Sequence, residues 1–188
     1  MKLMIASDLH GSAFYTEKML EARKQEKPGK LLLLGDLLYH GPRNDLPRDY
    51  APKEVIKMLN SLSEEIFCVR GNCEAEVDQM VLDFPIMADY SVLFYKERCI
   101  YVTHGHTFSE NNPPKLHMGD ILLTGHTHVP ACRDRGFMYL NPGSVSIPKD
   151  ESWHGYMTLE DGIFLWKDLS GEIKMDWSMD RQTDISET

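Results

Sequence analysis

The chain has 188 residues, 42% of them hydrophobic, which is enough for one sizeable core and near the usual size of a single domain. Its formal charge of −9 opposes the attraction that drives non-specific nucleic-acid binding, and no basic run offsets it, so no stable nucleic-acid partner is expected. No segment approaches the roughly 20 apolar residues that span a bilayer. The start of the chain lacks an apolar signal-like stretch, and Cys68, Cys73, Cys99 and Cys132 show no CxxC spacing, so the expectation is a cytoplasmic protein with reduced thiols and no membrane partner.

In chain order, short β-rich runs at Leu3 to Ser7, Leu31 to Leu34 and Ile66 to Arg70 alternate with segments of helical period, a βαβαβ signature. Tyr15, Met19 and Ala22 recur at helical spacing before Pro28-Gly29 ends the first helical segment. Pro52 suits a first helical position in the second, where Val55, Ile56, Leu59 and Leu62 draw one apolar stripe. Both segments predict crossover helices between parallel strands.

The second half reads differently, with apolar runs at Val92 to Tyr95, Cys99 to Thr103, Ile121 to Thr124, Tyr156 to Leu159, Ile163 to Trp166 and Ile173 to Trp177. Turn signals at Glu97-Arg98, Asp161-Gly162 and Ser170-Gly171 make most of them hairpins, with Asp-Gly the strongest. The expected result is a second, largely antiparallel sheet packed on the first, with helices outside: a four-layer αββα sandwich of the α/β class. The domain is taken as residues 1–177 and a polar tail as 178–188.

Five motifs fall at the ends of predicted strands or just beyond them: Asp8-Leu9-His10, Gly35-Asp36, Gly71-Asn72-Cys73-Glu74, Thr103-His104-Gly105-His106 and Gly125-His126-Thr127-His128. Loops after the carboxyl ends of strands are where α/β folds gather ligands, so the five point to one shared site. In extended chain, residues two apart project to one side, which makes Asp8 with His10, and His126 with His128, two-toothed chelators. Imidazole nitrogen with carboxylate or amide oxygen, and no thiolate, suits manganese, iron, zinc or cobalt. Arg43 follows one of these motifs and suits phosphate oxygens. Glu74 reads as a residue that orients a neighbour, and His106 as a support or a substrate contact. The Asn141-Pro142-Gly143-Ser144 stretch reads as a turn, and His117 and His154 sit in no motif.

The run D-x-H, G-D, G-N-x-[DE], [TG]-H, G-H-x-H resembles the calcineurin-like metallophosphoesterase superfamily. The likeness is carried also by His40-Gly41-Pro42-Arg43-Asn44 and by Asn141 to Lys149, and runs from Met1 to Lys149. It implies the αββα sandwich and two divalent ions, manganese foremost, with iron, zinc, cobalt or nickel as alternatives. One ion would take Asp8, His10, Asp36 and His128, and the other Asn72, His104 and His126, with Asp36 bridging both. The implied activity is hydrolysis of small-molecule phosphodiesters by a two-metal-activated hydroxide attacking phosphorus. Asp36, Asn72 and His104 would serve the reaction, Arg43 and His40 the substrate. Cys73 stands where the superfamily commonly has a histidine that protonates the leaving alcohol, so good leaving groups are expected to be favoured, with His40 or His106 as substitute donors. A phosphomonoesterase, a non-catalytic interaction scaffold and a nuclease acting on DNA ends are the competing readings, the last weakened by the acidic charge. The resemblance also implies a homo-oligomer, dimer or tetramer.

Overall fold

The computed structural model describes residues 1–95 and 97–180. Strand β1 (Leu3–Ala6), helix α1 (Ala13–Glu26), strand β2 (Lys30–Leu33), helix α2 (Pro52–Asn60) and strand β3 (Ile66–Cys68) form the expected parallel unit, with Leu3 opposite Lys30 and Leu31 opposite Ile66. The Ser12 hydroxyl caps α1 by accepting from Tyr15 N at 3.2 Å, and Lys27 ends the helix in a left-handed conformation just before Pro28-Gly29. Pro52 opens α2, where its missing N–H costs nothing. Met19 and Ala22 of α1 and Val55 and Leu59 of α2 pack on Met4, Ala6, Leu31 and Leu33, covering one face of this sheet.

The remaining strands are β4 (Tyr90–Tyr95), β5 (Arg98–Thr103), β6 (Ile121–Leu123), β7 (Ala131–Asp134), β8 (Met138–Asn141), β9 (Gly155–Glu160), β10 (Ile163–Asp168) and β11 (Ile173–Ser178). They do not form one second sheet. Strands β9, β10 and β11 return to the first sheet, whose order is β11-β10-β9-β1-β2-β3, through antiparallel pairing of Leu3 with Leu159. Gly155 to Leu159 is buried throughout, as a strand inside a sheet covered on both faces must be. The second sheet, β4-β5-β6-β8-β7, is mixed rather than largely antiparallel, because β5 with β6 and β6 with β8 pair in parallel. Strands β7 and β8 have no counterpart in the sequence reading: in β7 Arg133 and Asp134 are exposed and polar and break the apolar signal, and β8 offers only three apolar residues before Asn141 opens the stretch read as a turn. The Asp161-Gly162 hairpin is as predicted, with φ of 50° and 82° matching the twist of the flanking strands.

The architecture is therefore two mixed sheets packed face to face with helices outside. The inter-sheet core joins Ile5, Leu32, Leu34 and Val69 to Ile100, Val102, Ile121, Leu123 and Leu140, closed at one side by Phe164 and Trp166. Helices α1 and α2 both lie on the first sheet. Over Leu122 and Tyr139 on the outer face of the second, the described residues place loop residue Leu116 rather than a helix. The polar tail starts later than Ser178: that residue closes β11, and Met179 is buried with its N–H donating to Gly162 O at 2.9 Å, while 181–188 lie outside the described residues. Among the described residues no helix is long and apolar enough to cross a membrane.

Candidate active site

The parallel strands β1, β2 and β3 of one sheet and β5, β6 and β8 of the other end at the same edge of the sandwich, and their loops are laced together. Asp8 N donates to Gly35 O at 3.1 Å, Gly125 N to His104 O at 2.8 Å, and Val145 N to Ser7 O at 3.0 Å. Asp8, His10, Asp36, His126 and His128 all adopt left-handed backbone, with φ between 48° and 65°. Such conformations cost roughly 1 kcal/mol or more each in side-chain-bearing residues and persist only where the surroundings hold them. These residues therefore do not pair as residues two apart in extended chain would, because none of them lies in a strand. Asp8 and His10 do meet, but His126 and His128 turn to different partners.

On one side, His10 Nε2 lies 3.2 Å from His128 Nε2, and Asp8 Oδ1 lies 3.6 Å and 3.3 Å from those two nitrogens. On the other, His104 Nε2 lies 3.1 Å from Asn72 Oδ1 and 3.2 Å from His126 Nδ1. Asp36 Oδ2 sits between the groups, 3.7 Å from His10 Nε2 and 3.5 Å from His104 Nε2. The structure thus brings together every residue named as a metal ligand from the sequence.

The donor chemistry of this cluster fits cations. His10 Nδ1 is 2.7 Å from Tyr39 O, His128 Nδ1 is 2.6 Å from Ile147 O, and His104 Nδ1 is 2.6 Å from Leu34 O. A carbonyl accepts only, so these contacts assign the N–H to Nδ1 and leave each Nε2 lone pair aimed inward. Lone pairs at 3.2 Å repel unless a proton or a cation lies between them. Asp8 Oδ1, fully buried, accepts no hydrogen bond while those Nε2 atoms are unprotonated. The electrostatics of the cluster carry the same demand for positive charge. Burial opposes protonation of His104, but Asp36 and Asp8 outweigh it and raise its pKa to about 9. Burial and then the charge on His104 push His126 down to about 4, and Asp8 is held well below the usual carboxylate range, against its burial, by His10 and His128.

Buried side chains brace these loops. Glu74 accepts from Leu37 N at 2.7 Å through Oε1, and from Asp36 N at 2.9 Å and Gly71 N at 2.5 Å through Oε2, which makes it the orienting residue the sequence reading expected. Ser144 and Ser146 hydroxyls both donate to Asp8 O at 2.9 Å, and Asn141 Nδ2 donates to Gly125 O at 2.7 Å. The stretch read as a turn is therefore a brace for two ligand loops. The sequence carries no signal for this role, because the burial of Asn141, Ser144 and Ser146 is a property of the fold. Gly71 and Gly125 mark close approaches, since a methyl group would strike Asp36 and Glu74 at the first and Ser7 and Asp8 at the second.

Above the cluster opens a cavity of about 390 Å³, with Asp36, Asn72, His126 and His128 lining it beside Arg43 and Lys149. Lys149 was not singled out from the sequence. His40 is not on this lining; its ring stands edge-on to Tyr39 and Tyr50, and its carbonyl accepts from Asn44 Nδ2 at 2.8 Å, shaping the loop that carries Arg43. Cys73 lines the cavity with its N–H on Asp36 Oδ1 at 2.9 Å, and burial and then Asp36 push its thiol up. His106 lies outside the lining, its ring 5.5 Å from that of His104. His117 pairs with Asp120, and His154 stacks on Tyr15, both away from the cluster.

A fold of two mixed sheets whose joined edge carries this Asp, Asn and His set defines a class: residues 1–161 match the model of the calcineurin-like phosphoesterase superfamily domain, and the chain belongs to that superfamily. It is an enzyme of phosphoester hydrolysis, and dependence on divalent metal goes with that membership. Among individual proteins, it is 46% identical over 164 residues to the phosphodiesterase YfcE of Escherichia coli K12, covering 87% of this chain and 89% of that one. The solved structure of the Escherichia coli phosphoesterase Yfce superposes with a TM-score of 0.91 at 42% identity, over 95% of this chain and 100% of the other. Vacuolar protein sorting 29 of Cryptosporidium parvum shares the fold at a TM-score of 0.60 and 19% identity, over 94% and 97% of the two chains.

Proposed function

We propose that this protein is a metal-dependent phosphodiesterase acting on small-molecule diesters, with two divalent ions, manganese foremost, held by Asp8, His10, Asp36 and His128 and by Asn72, His104, His126 and Asp36. The observation that carries the reading is the set of inward-facing lone pairs and carboxylate oxygens around His10, His128 and Asp8, which only positive charge can reconcile. When bound, two such ions supply Lewis-acid polarisation of the phosphoryl group and lower the pKa of a water toward neutrality. The chain's own residues do the rest. Asp36, central to both groups, sets the spacing of the two halves. Arg43 at the cavity wall donates to non-bridging phosphate oxygens, where charge builds in the transition state.

The diester preference is supported by Cys73. A neutral thiol is a weak donor, so a strongly basic alkoxide leaves without much help, and esters with stable leaving groups react best. The cavity volume suits a small molecule. The four free cysteines fit a reducing, cytoplasmic setting. The test is turnover of bis(p-nitrophenyl) phosphate against p-nitrophenyl phosphate after chelator treatment, with and without manganese, beside Asp36→Asn. Restoration of diester cleavage in the wild type alone supports the reading. A clear monoester preference replaces it by a phosphomonoesterase, and no turnover with any divalent metal moves the scaffold role forward.

A further inference from the structure

We infer that Lys149 forms a distal anion subsite, so that the preferred substrates are phosphodiesters whose non-leaving alcohol is aliphatic and carries a second negative charge. This rests on the phosphodiesterase reading above and adds a substrate class to it.

The charges of the cavity do not match a neutral alcohol. A diester group has one negative charge, and the positive charge of two divalent ions already balances that of Asp8, Asp36, a hydroxide and the diester together. Arg43 and Lys149 nevertheless both line the cavity, and the one acidic residue lining it among the described residues, Asp36, is turned to the histidines. Among the described residues neither cation is in an ion pair, in a chain with 29 acidic residues against 20 basic ones. The two also differ in chemistry. The forked guanidinium of Arg43 suits the oxygens of the scissile phosphate, whereas a lysine ammonium is a compact point charge that serves a carboxylate or phosphate at a distance.

Lys149 is placed rather than merely present. Its N–H donates to the carbonyl of His128 at 3.2 Å, and its own carbonyl accepts from Ser152 N at 3.0 Å and Ser152 Oγ at 2.6 Å. Two residues earlier, Ile147 O holds His128 Nδ1, and Ser144 and Ser146 hold Asp8 O. The backbone that projects Lys149 is thus fixed to two ligand loops, and it enters from the segment after β8, while Arg43 enters from the loop after β2 in the other sheet. Among the described residues the only aromatic rings lining the cavity are those of His126 and His128, both committed to the ligand cluster, so no free aromatic face is offered to a nucleobase, which leaves an aliphatic alcohol as the charged part.

The test uses the manganese-loaded protein and p-nitrophenyl diesters that share a leaving group and differ at the tip of the other alcohol: butyl, 3-carboxypropyl, 2-phosphoethyl and choline. The expected result is a kcat/KM about tenfold higher for the anionic tips than for butyl, with choline lowest, as for one charge-assisted contact. In Lys149→Met the ratio of anionic to butyl ester falls toward one, and in Lys149→Glu choline becomes the best tip. Whichever anionic tip gains more identifies the natural anion as carboxylate or phosphate. Diester turnover without preference among tips, or a preference that survives Lys149→Met, overturns the subsite and leaves the phosphodiesterase reading standing. Failure of the wild type to cleave any of the diesters removes that reading and the subsite with it.

Discussion

Replacing Glu74 by glutamine probes how the buried brace sets the metal-binding geometry. Glu74 is 5% exposed and satisfies three backbone N–H groups, those of Asp36, Leu37 and Gly71. The amide oxygen of glutamine can keep the two bonds made by Oε2, but its NH2 then faces the Leu37 N–H. One charge-assisted bond is lost and two donors oppose each other, a loss of about 3 kcal/mol. Against this, burial and then Asp36 raise the Glu74 pKa, so removing the charge brings some relief, about 1 kcal/mol in the opposite direction. The net destabilisation is about 2 kcal/mol, which in a chain of this length lowers Tm by about 4–8 °C. Because the same carboxylate positions Asp36 and the Gly71-Asn72 turn, manganese affinity falls about 10- to 100-fold. Thermal unfolding of the metal-free protein and calorimetric titration with manganese read the two effects. A Tm and a manganese affinity both indistinguishable from wild type would refute the assignment of Glu74 as the brace.

Two further outcomes follow from titration and charge. With His104 raised to about 9 in the metal-free protein, a cation must displace its proton below that pH; apparent manganese affinity therefore rises about tenfold per pH unit toward about 9 and then levels off, with proton release measurable by calorimetry in buffers of different ionisation enthalpy. Glu26 joins Lys2 at 3.1 Å, Lys167 at 2.6 Å and the Tyr156 hydroxyl at 2.9 Å, and these partners hold its pKa below 4.5 against the opposing effect of burial. Its stabilisation is complete above the ordinary carboxylate pKa and is lost as pH falls through the depressed folded value. Glu26→Gln should thus be about 2 kcal/mol less stable than wild type at pH 7, with the gap closing in acid, as denaturant unfolding at several pH values will show.

Local periodicity determined the parallel unit formed by β1, α1, β2, α2 and β3, because alternation and helical spacing are properties of a few neighbouring residues. The metal-ligand candidates were legible for a related reason: D-x-H, G-D, G-N and G-H-x-H are contiguous, and each falls where a strand ends. What the sequence did not determine was long-range. The run Tyr156 to Leu159 of β9, apolar but for Thr158, is compatible with any buried strand, and only the pairing of Leu3 with Leu159 assigns it to the first sheet. Whether His128 faces His10 or His126 depends on left-handed backbone that an extended chain cannot supply. The roles of Ser146 and Lys149 likewise exist only across the fold, since the bond from Ser146 to Asp8 joins residues 138 apart in the chain. Contacts of that separation are made by packing two sheets, and nothing within a window of neighbours encodes them.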